Sequence, residues 1–186
     1  IIMLNRITLF ITFLLLTGWN ALSAQNRPEN PPITGLSGIS IALDPGHSRT
    51  ENMGIYNYSE AEKVLLTAQM MHEMFMTLTD VDTVILTRNN GSISVGLTQR
   101  SIIANNAGVD MFHSLHSDAG PPSRRTTLFL YGSLLNGSEK TPRGGKDLGE
   151  KMEVTLTDAM RTTTTGTIGD RQFYGGTNNA PYLSVN

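Results

Sequence analysis

Two periods of apolar and polar residues alternate along the chain. Short β-branched or apolar runs occupy 38–44, 82–87, 109–116 and 126–131. Between them, apolar residues recur at three- and four-residue spacing over 60–78, 96–107 and 144–161. The runs predict strands and the spaced segments predict helices. Strands that alternate with helices predict an α/β fold, a mixed and largely parallel sheet with helices on both faces. Thr162 to Thr165, followed by Gly166, reads as a loop, Asp170 to Tyr174 as a short strand, and Asn178 to Asn186 as a loop. The sequence stops at Asn186 with no terminal element in sight. A folded domain over 38–186, incomplete at its C-terminal end, is therefore expected.

The N-terminal pattern differs. Met3 and basic Arg6 precede an apolar run from Ile7 to Thr17, and small residues follow at Ala21, Ser23 and Ala24. That order predicts a signal peptide over 1–24, cut near Ser23 or Ala24, because the run is too short for a comfortable membrane span. Pro28, Pro31, Pro32 and Gly35 then lie among polar residues, and 25–37 reads as a flexible linker. The mature protein is expected to be exported, to the periplasm or the extracellular space, without stable membrane insertion.

Composition narrows the partners. In 186 residues the net charge is -2 and 16% are charged, so no polybasic field favours nucleic acid or an anionic membrane. The length suits one monomeric domain that buries about two thirds of its unfolded surface. Cysteine is absent, which excludes disulfides and cysteine-ligated zinc.

Candidate chemistry gathers at two strand ends and a helix start. Ile39 to Leu43 runs into Asp44-Pro45-Gly46 and delivers His47, and the strand ending at Leu115 delivers His116. Ligands of open α/β sheets sit outside such carboxyl ends. Ser59 suits an N-cap with Glu62 three residues on, a capping box that gives Glu62 a structural role. Positions 60, 64, 68, 71 and 75 form one apolar stripe headed by Glu60, whereas 62, 66, 69 and 73 form a mostly solvated face. A carboxylate heading a core-facing stripe needs a partner. A metal ion or Arg100 on the next helix could serve. Two imidazoles and one carboxylate would leave a fourth tetrahedral position open, the arrangement of catalytic zinc. His113, three residues before His116, faces the other side of its strand and reads as a core histidine, and His72 as a surface one.

From Ile39 to Ala119 the chain resembles the zinc-dependent N-acetylmuramoyl-L-alanine amidases of the type-3 amidase family, which cut peptidoglycan. The matching segments are LDPGH at 43–47, Gly54, EA at 60–61 with Leu65 and Ala68, VILTR at 84–88, LTQRSIIAN at 97–105 and DMFHSLHSDA at 110–119. The resemblance implies Zn2+ held by His47, Glu60 and His116, with peptidoglycan as substrate. The reaction it implies is hydrolysis of the amide between N-acetylmuramic acid and L-alanine, in cell wall degradation or remodelling. Ser48-Arg49 stands where the family has Gly-Gly, and Asp118 where it has Asn, which makes Arg49 and Asp118 candidate substrate contacts at the rim. The family's catalytic glutamate lies on a late apolar strand, expected here beyond Asn186, so the 186 residues alone are expected to bind zinc but turn over poorly. Two other readings compete: a non-catalytic peptidoglycan-binding domain of the same fold, and a zinc peptidase acting on the stem peptide.

Overall fold

The computed structural model describes residues 29–48, 51–54, 57–117, 125–140 and 145–173. The chain divides after Ser117 into two compact units.

The first unit holds strands β1 (Ser40–Pro45), β2 (Thr83–Leu86) and β3 (Met111–Leu115), and helices α1 (Glu60–Leu78) and α2 (Leu97–Ala107). The sheet order is β2-β1-β3, and both pairings are parallel. Ile41 stands beside Val84 and Met111, and Leu43 beside Leu86 and His113. The central position of β1 explains why its apolar run is continuous rather than alternating, since both faces are covered. From β1 the first crossover leads to β2 on one side, and the second passes back to β3 on the other. With right-handed connections, this reversal places α1 and α2 on opposite faces and opens a crevice at the carboxyl ends of β1 and β3.

α1 begins at Ser59, whose Oγ accepts from the Glu62 N–H at 3.3 Å. Glu60, Val64 and Ala68, the head of the expected stripe, are buried, as are Ala61 and Leu65 beside them, while Glu62 and Leu66 are exposed. Ala68 packs with Ile41, Leu43, Val81 and Val84 in the core. α2 ends on Gly108, whose φ of 62° lets the left-handed cap form. The proline-containing stretch meets this unit at Ile33, whose N–H donates to Leu78 O at 2.9 Å, and the Asp80 carboxylate accepts from Gly35 and Leu36 N–H groups at 2.9 and 2.7 Å.

The second unit pairs β4 (Thr126–Tyr131) in parallel with β5 (Thr163–Gly169), with α3 (Lys146–Met160) as the crossover between them and α4 (Asp170–Phe173) after them. Two expectations are corrected here. The threonine run is not a loop: Thr163 opens β5, where β-branched side chains suit a pleated surface. The Thr164 and Thr167 hydroxyls donate to the Glu153 carboxylate on α3 at 2.7 and 2.8 Å. Nor do Asp170 and its successors form a strand. The buried Asp170 carboxylate takes the N–H of Ser133 at 2.9 Å and of Arg171 at 2.7 Å, which fixes a helical turn instead. Asn178 to Asn186 lies outside the described residues, as do the expected signal peptide and residues 25–28 of the expected linker.

Candidate metal centre

β1 leaves the core through Asp44-Pro45-Gly46-His47, and two buried arginines hold that exit by its carbonyls. Arg88, at the end of the β2 segment, donates from Nε to Pro45 O at 3.0 Å and from Nη2 to Gly46 O and Ala61 O, both at 2.8 Å. Arg100 on α2 donates to Pro45 O and His47 O, each at 2.7 Å, and to Val95 O at 3.0 Å. A planar guanidinium with five donors suits a turn whose carbonyls point inward. Burial, and then Arg100, pull Arg88 below the ordinary arginine value, while the Asp44 and Glu51 carboxylates oppose the shift.

Arg100 also settles one expectation. Its ion pair is with Asp44, at 2.6 Å, and not with Glu60. Asp44 accepts as well from the Thr87 and Ser114 hydroxyls, at 2.5 and 2.7 Å. The carboxylate of the Asp-Pro-Gly turn therefore ties β1 to β3, to the β2 exit and to α2.

Held in this way, His47 adopts a left-handed backbone with φ of 55°, an uncommon state for a non-glycine residue. Its ring meets that of His116 edge-on, with the planes at 86° and centroids 4.8 Å apart. The approach depends on Gly46, where a Cβ would lie 2.4 to 2.7 Å from the His116 ring. Glu60 reaches both rings from the first turn of α1, and its two oxygens are oriented separately. The Ser117 N–H donates to Oε1 at 2.6 Å, and the Asn52 Nδ2 to Oε2 at 3.2 Å.

The donor atoms converge. His47 Nε2 lies 3.1 Å from His116 Nδ1 and 3.3 Å from Glu60 Oε2, and His116 Nδ1 lies 3.4 Å from Glu60 Oε1. Four-coordinate zinc with bonds of about 2.0–2.1 Å sets neighbouring donors about 3.3 Å apart. The residues present thus fit the ion in donor chemistry and in spacing. Among the described residues, these three form the cluster that could hold a metal. Burial is lopsided: the Glu60 side chain is 8% exposed and that of His116 47%, so the site opens on the His116 side. Burial, and then His47, lower the pKa of His116 against the pull of Glu60 and Asp44.

His113 stays out of the cluster, half-buried on β3, and burial lowers its pKa. His72 is half-buried on α1. Arg49 and Asp118 lie outside the described residues. Sequence reasoning passed over Asn52, Ser117 and the arginine clamp. Arg88 stood in the matching VILTR segment without a role, and Asn52 lay in a polar loop with no periodicity to single it out.

Residues 41–184 match the model of the Amidase_3 family, N-acetylmuramoyl-L-alanine amidase. The N-acetylmuramoyl-L-alanine amidase CwlM of Bacillus licheniformis is 34% identical over 83 residues, 44% of this chain and 32% of that protein. The chain thus spans about a third of the length of this relative. Among solved structures, the catalytic domain of CwlV, an N-acetylmuramoyl-L-alanine amidase from Bacillus (Paenibacillus) polymyxa var. colistinus, superposes with a TM-score of 0.57 at 22% identity, over 70% of this chain and 69% of that one. An N-acetylmuramoyl-L-alanine amidase from Clostridium difficile 630 gives a TM-score of 0.58 at 21% identity, over 73% and 70% of the two chains. These two likenesses show a shared fold.

Proposed function

Because the chain belongs to the N-acetylmuramoyl-L-alanine amidase family, whose model it matches over residues 41–184, we propose that it hydrolyses the amide between N-acetylmuramic acid and L-alanine in peptidoglycan, with Zn2+ held by His47, Glu60 and His116. The observation that carries this reading is the convergence of two imidazole nitrogens and one carboxylate within 4.8 Å of one another at two strand ends and a helix start.

Zinc in such a set supplies Lewis acidity and a nucleophile at neutral pH. The chain's own groups do the rest. His47 and His116 would hold the ion through ring nitrogens and Glu60 through its carboxylate. Ser117 and Asn52 hold the Glu60 oxygens, and the two arginines hold the backbone of His47, so the donors need little reorganisation on binding. The exposed side of His116 is where a polymeric substrate reaches the centre. Among the described residues no second carboxylate joins the cluster. Arg49, two residues past His47 in sequence, and Asp118, next to Ser117 in sequence, are proposed as substrate contacts. A wall substrate implies export to the periplasm or beyond. No helix among the described residues is long and apolar enough to cross a membrane.

The test joins metal content to bond specificity. The wild-type chain is expected to carry about one zinc per molecule. His47→Ala and Glu60→Ala should lose it, while Glu62→Ala, which alters an exposed capping residue, should keep it. Mass spectra of digested muropeptides should show free muramic acid lactyl groups and stem peptides starting at L-alanine. Cleavage within the stem peptide would replace the amidase by a peptidase. Metal retained in His47→Ala would overturn the ligand set.

A further inference from the structure

A fourth polar side chain reaches the same atoms. Asn52 Nδ2 lies 2.9 Å from His47 Nε2 and 3.2 Å from Glu60 Oε2. These separations match the 3.1 to 3.4 Å between the three donors themselves. The end of Asn52 thus stands at donor-to-donor distance from two of the three groups, His47 and Glu60.

Its backbone is built to bring it there. Asn52 has φ of 53°, a left-handed conformation that asparagine tolerates better than most residues. Its carbonyl accepts from the Glu60 N–H at 3.3 Å, so the loop is tied to the first residue of α1. On the following turn, Met53 pairs with Ser59 and the Gly54 N–H donates to Tyr58 O at 2.7 Å.

Resting on the assignment of His47, Glu60 and His116 as metal ligands, we propose that Asn52 is a displaceable fourth ligand of the metal centre, acting through its carboxamide oxygen. The carboxamide presents its NH2 edge to His47 Nε2 and Glu60 Oε2. A cation between those donors reverses the field. A half-turn of the planar group then exchanges nitrogen for oxygen without moving its place. A neutral amide oxygen is a weaker partner for zinc than imidazole or carboxylate. It is therefore the ligand that an incoming substrate carbonyl can replace, and the three-residue set remains behind it.

The test uses the full chain with Zn2+ or Co2+ as the probe. Asn52→Gly removes the carboxamide and accepts the positive φ without strain, so folding is preserved. Asn52→Asp keeps the shape and adds a charge. Zinc dissociation constants come from competition with a chromophoric chelator, and ligand number and field from the visible absorption of the Co2+ form. Asn52→Gly should bind zinc about tenfold more weakly, Asn52→Asp should bind it more tightly, and the Co2+ bands of the glycine variant should shift from those of the wild type. Unchanged or tighter zinc binding in Asn52→Gly, or an unchanged Co2+ spectrum, overturns the proposal and leaves Asn52 as a hydrogen-bond partner of His47 and Glu60. Failure of the parent reading looks different: the wild-type chain would take up no zinc, or would keep it without His47.

Discussion

At the scale of single residues, environment separates chemically identical groups. Glu60 and Glu62 are two positions apart, yet one is buried against two imidazoles and the other is exposed, with its N–H donating to the Ser59 cap. The periodicity of the helix was enough to tell them apart, because a side chain's direction on a helix follows from its number. The same logic placed His113 away from His116 on the strand. Burial without a charged partner lowers the His113 pKa from the ordinary 6.5. The stability consequence has a definite sign. Above pH 6.5 both folded and unfolded chains carry a neutral ring and His113 has no effect. Below it the unfolded chain takes up a proton that the folded chain refuses, so stability falls with pH until the folded value is reached, by at most about 1.4 kcal/mol per unit. Urea titrations of His113→Phe and wild type should therefore diverge as the pH is lowered from 7 to 5, with the variant losing less. Parallel curves would show that the ring titrates alike in both states. Asn52 was illegible for the opposite reason, since nothing in a loop sequence states where a left-handed residue aims its side chain.

Between elements, the decisive contacts run from arginine to main chain. A sequence displays side-chain types, but the acceptors here are the carbonyls of Pro45, Gly46, His47 and Ala61, which any residue would offer. This is why Arg100 looked as suitable a partner for Glu60 as a metal ion, and why only the fold assigns it to Asp44. The threonine run failed for a related reason. Four polar residues in a row suggest a loop, while their β-branching fits a strand once α3 offers Glu153 to their hydroxyls. The Asp44–Arg100 pair is buried on both sides, so removing one member strands the other. Arg100→Met should cost about 3–5 kcal/mol, measured by denaturant unfolding. Adding Asp44→Asn to that variant should recover part of the loss, since the orphaned charge is gone. Strict additivity of the two substitutions would mean that each acts through packing rather than through the other.

The whole chain shows how far this organisation reaches. The alternation of strand and helix was legible through α3, and with it the parallel pairing of β1 with β2 and β3, because crossovers of this length admit little else, whereas β5 and α4 were misread. The division after Ser117 was not legible, since apolar periodicity reports that a face is buried but not which sheet buries it. The division bears directly on metal removal. All three proposed ligands belong to the first unit, on segments that follow β1, open α1 and follow β3. A ligand that binds only the folded form stabilises what it binds, by about 2.7 kcal/mol at a hundredfold excess over its dissociation constant. Zinc should therefore raise the melting temperature, and a chelator should reverse the rise. Hydrogen exchange should slow on adding zinc in peptides covering 40–48, 57–66 and 111–117, and stay unchanged over 145–173. Neither effect should appear in His47→Ala. Protection spread evenly over both units would mean that the ion acts on the chain at large, and the local centre drawn by His47, Glu60 and His116 would not account for it.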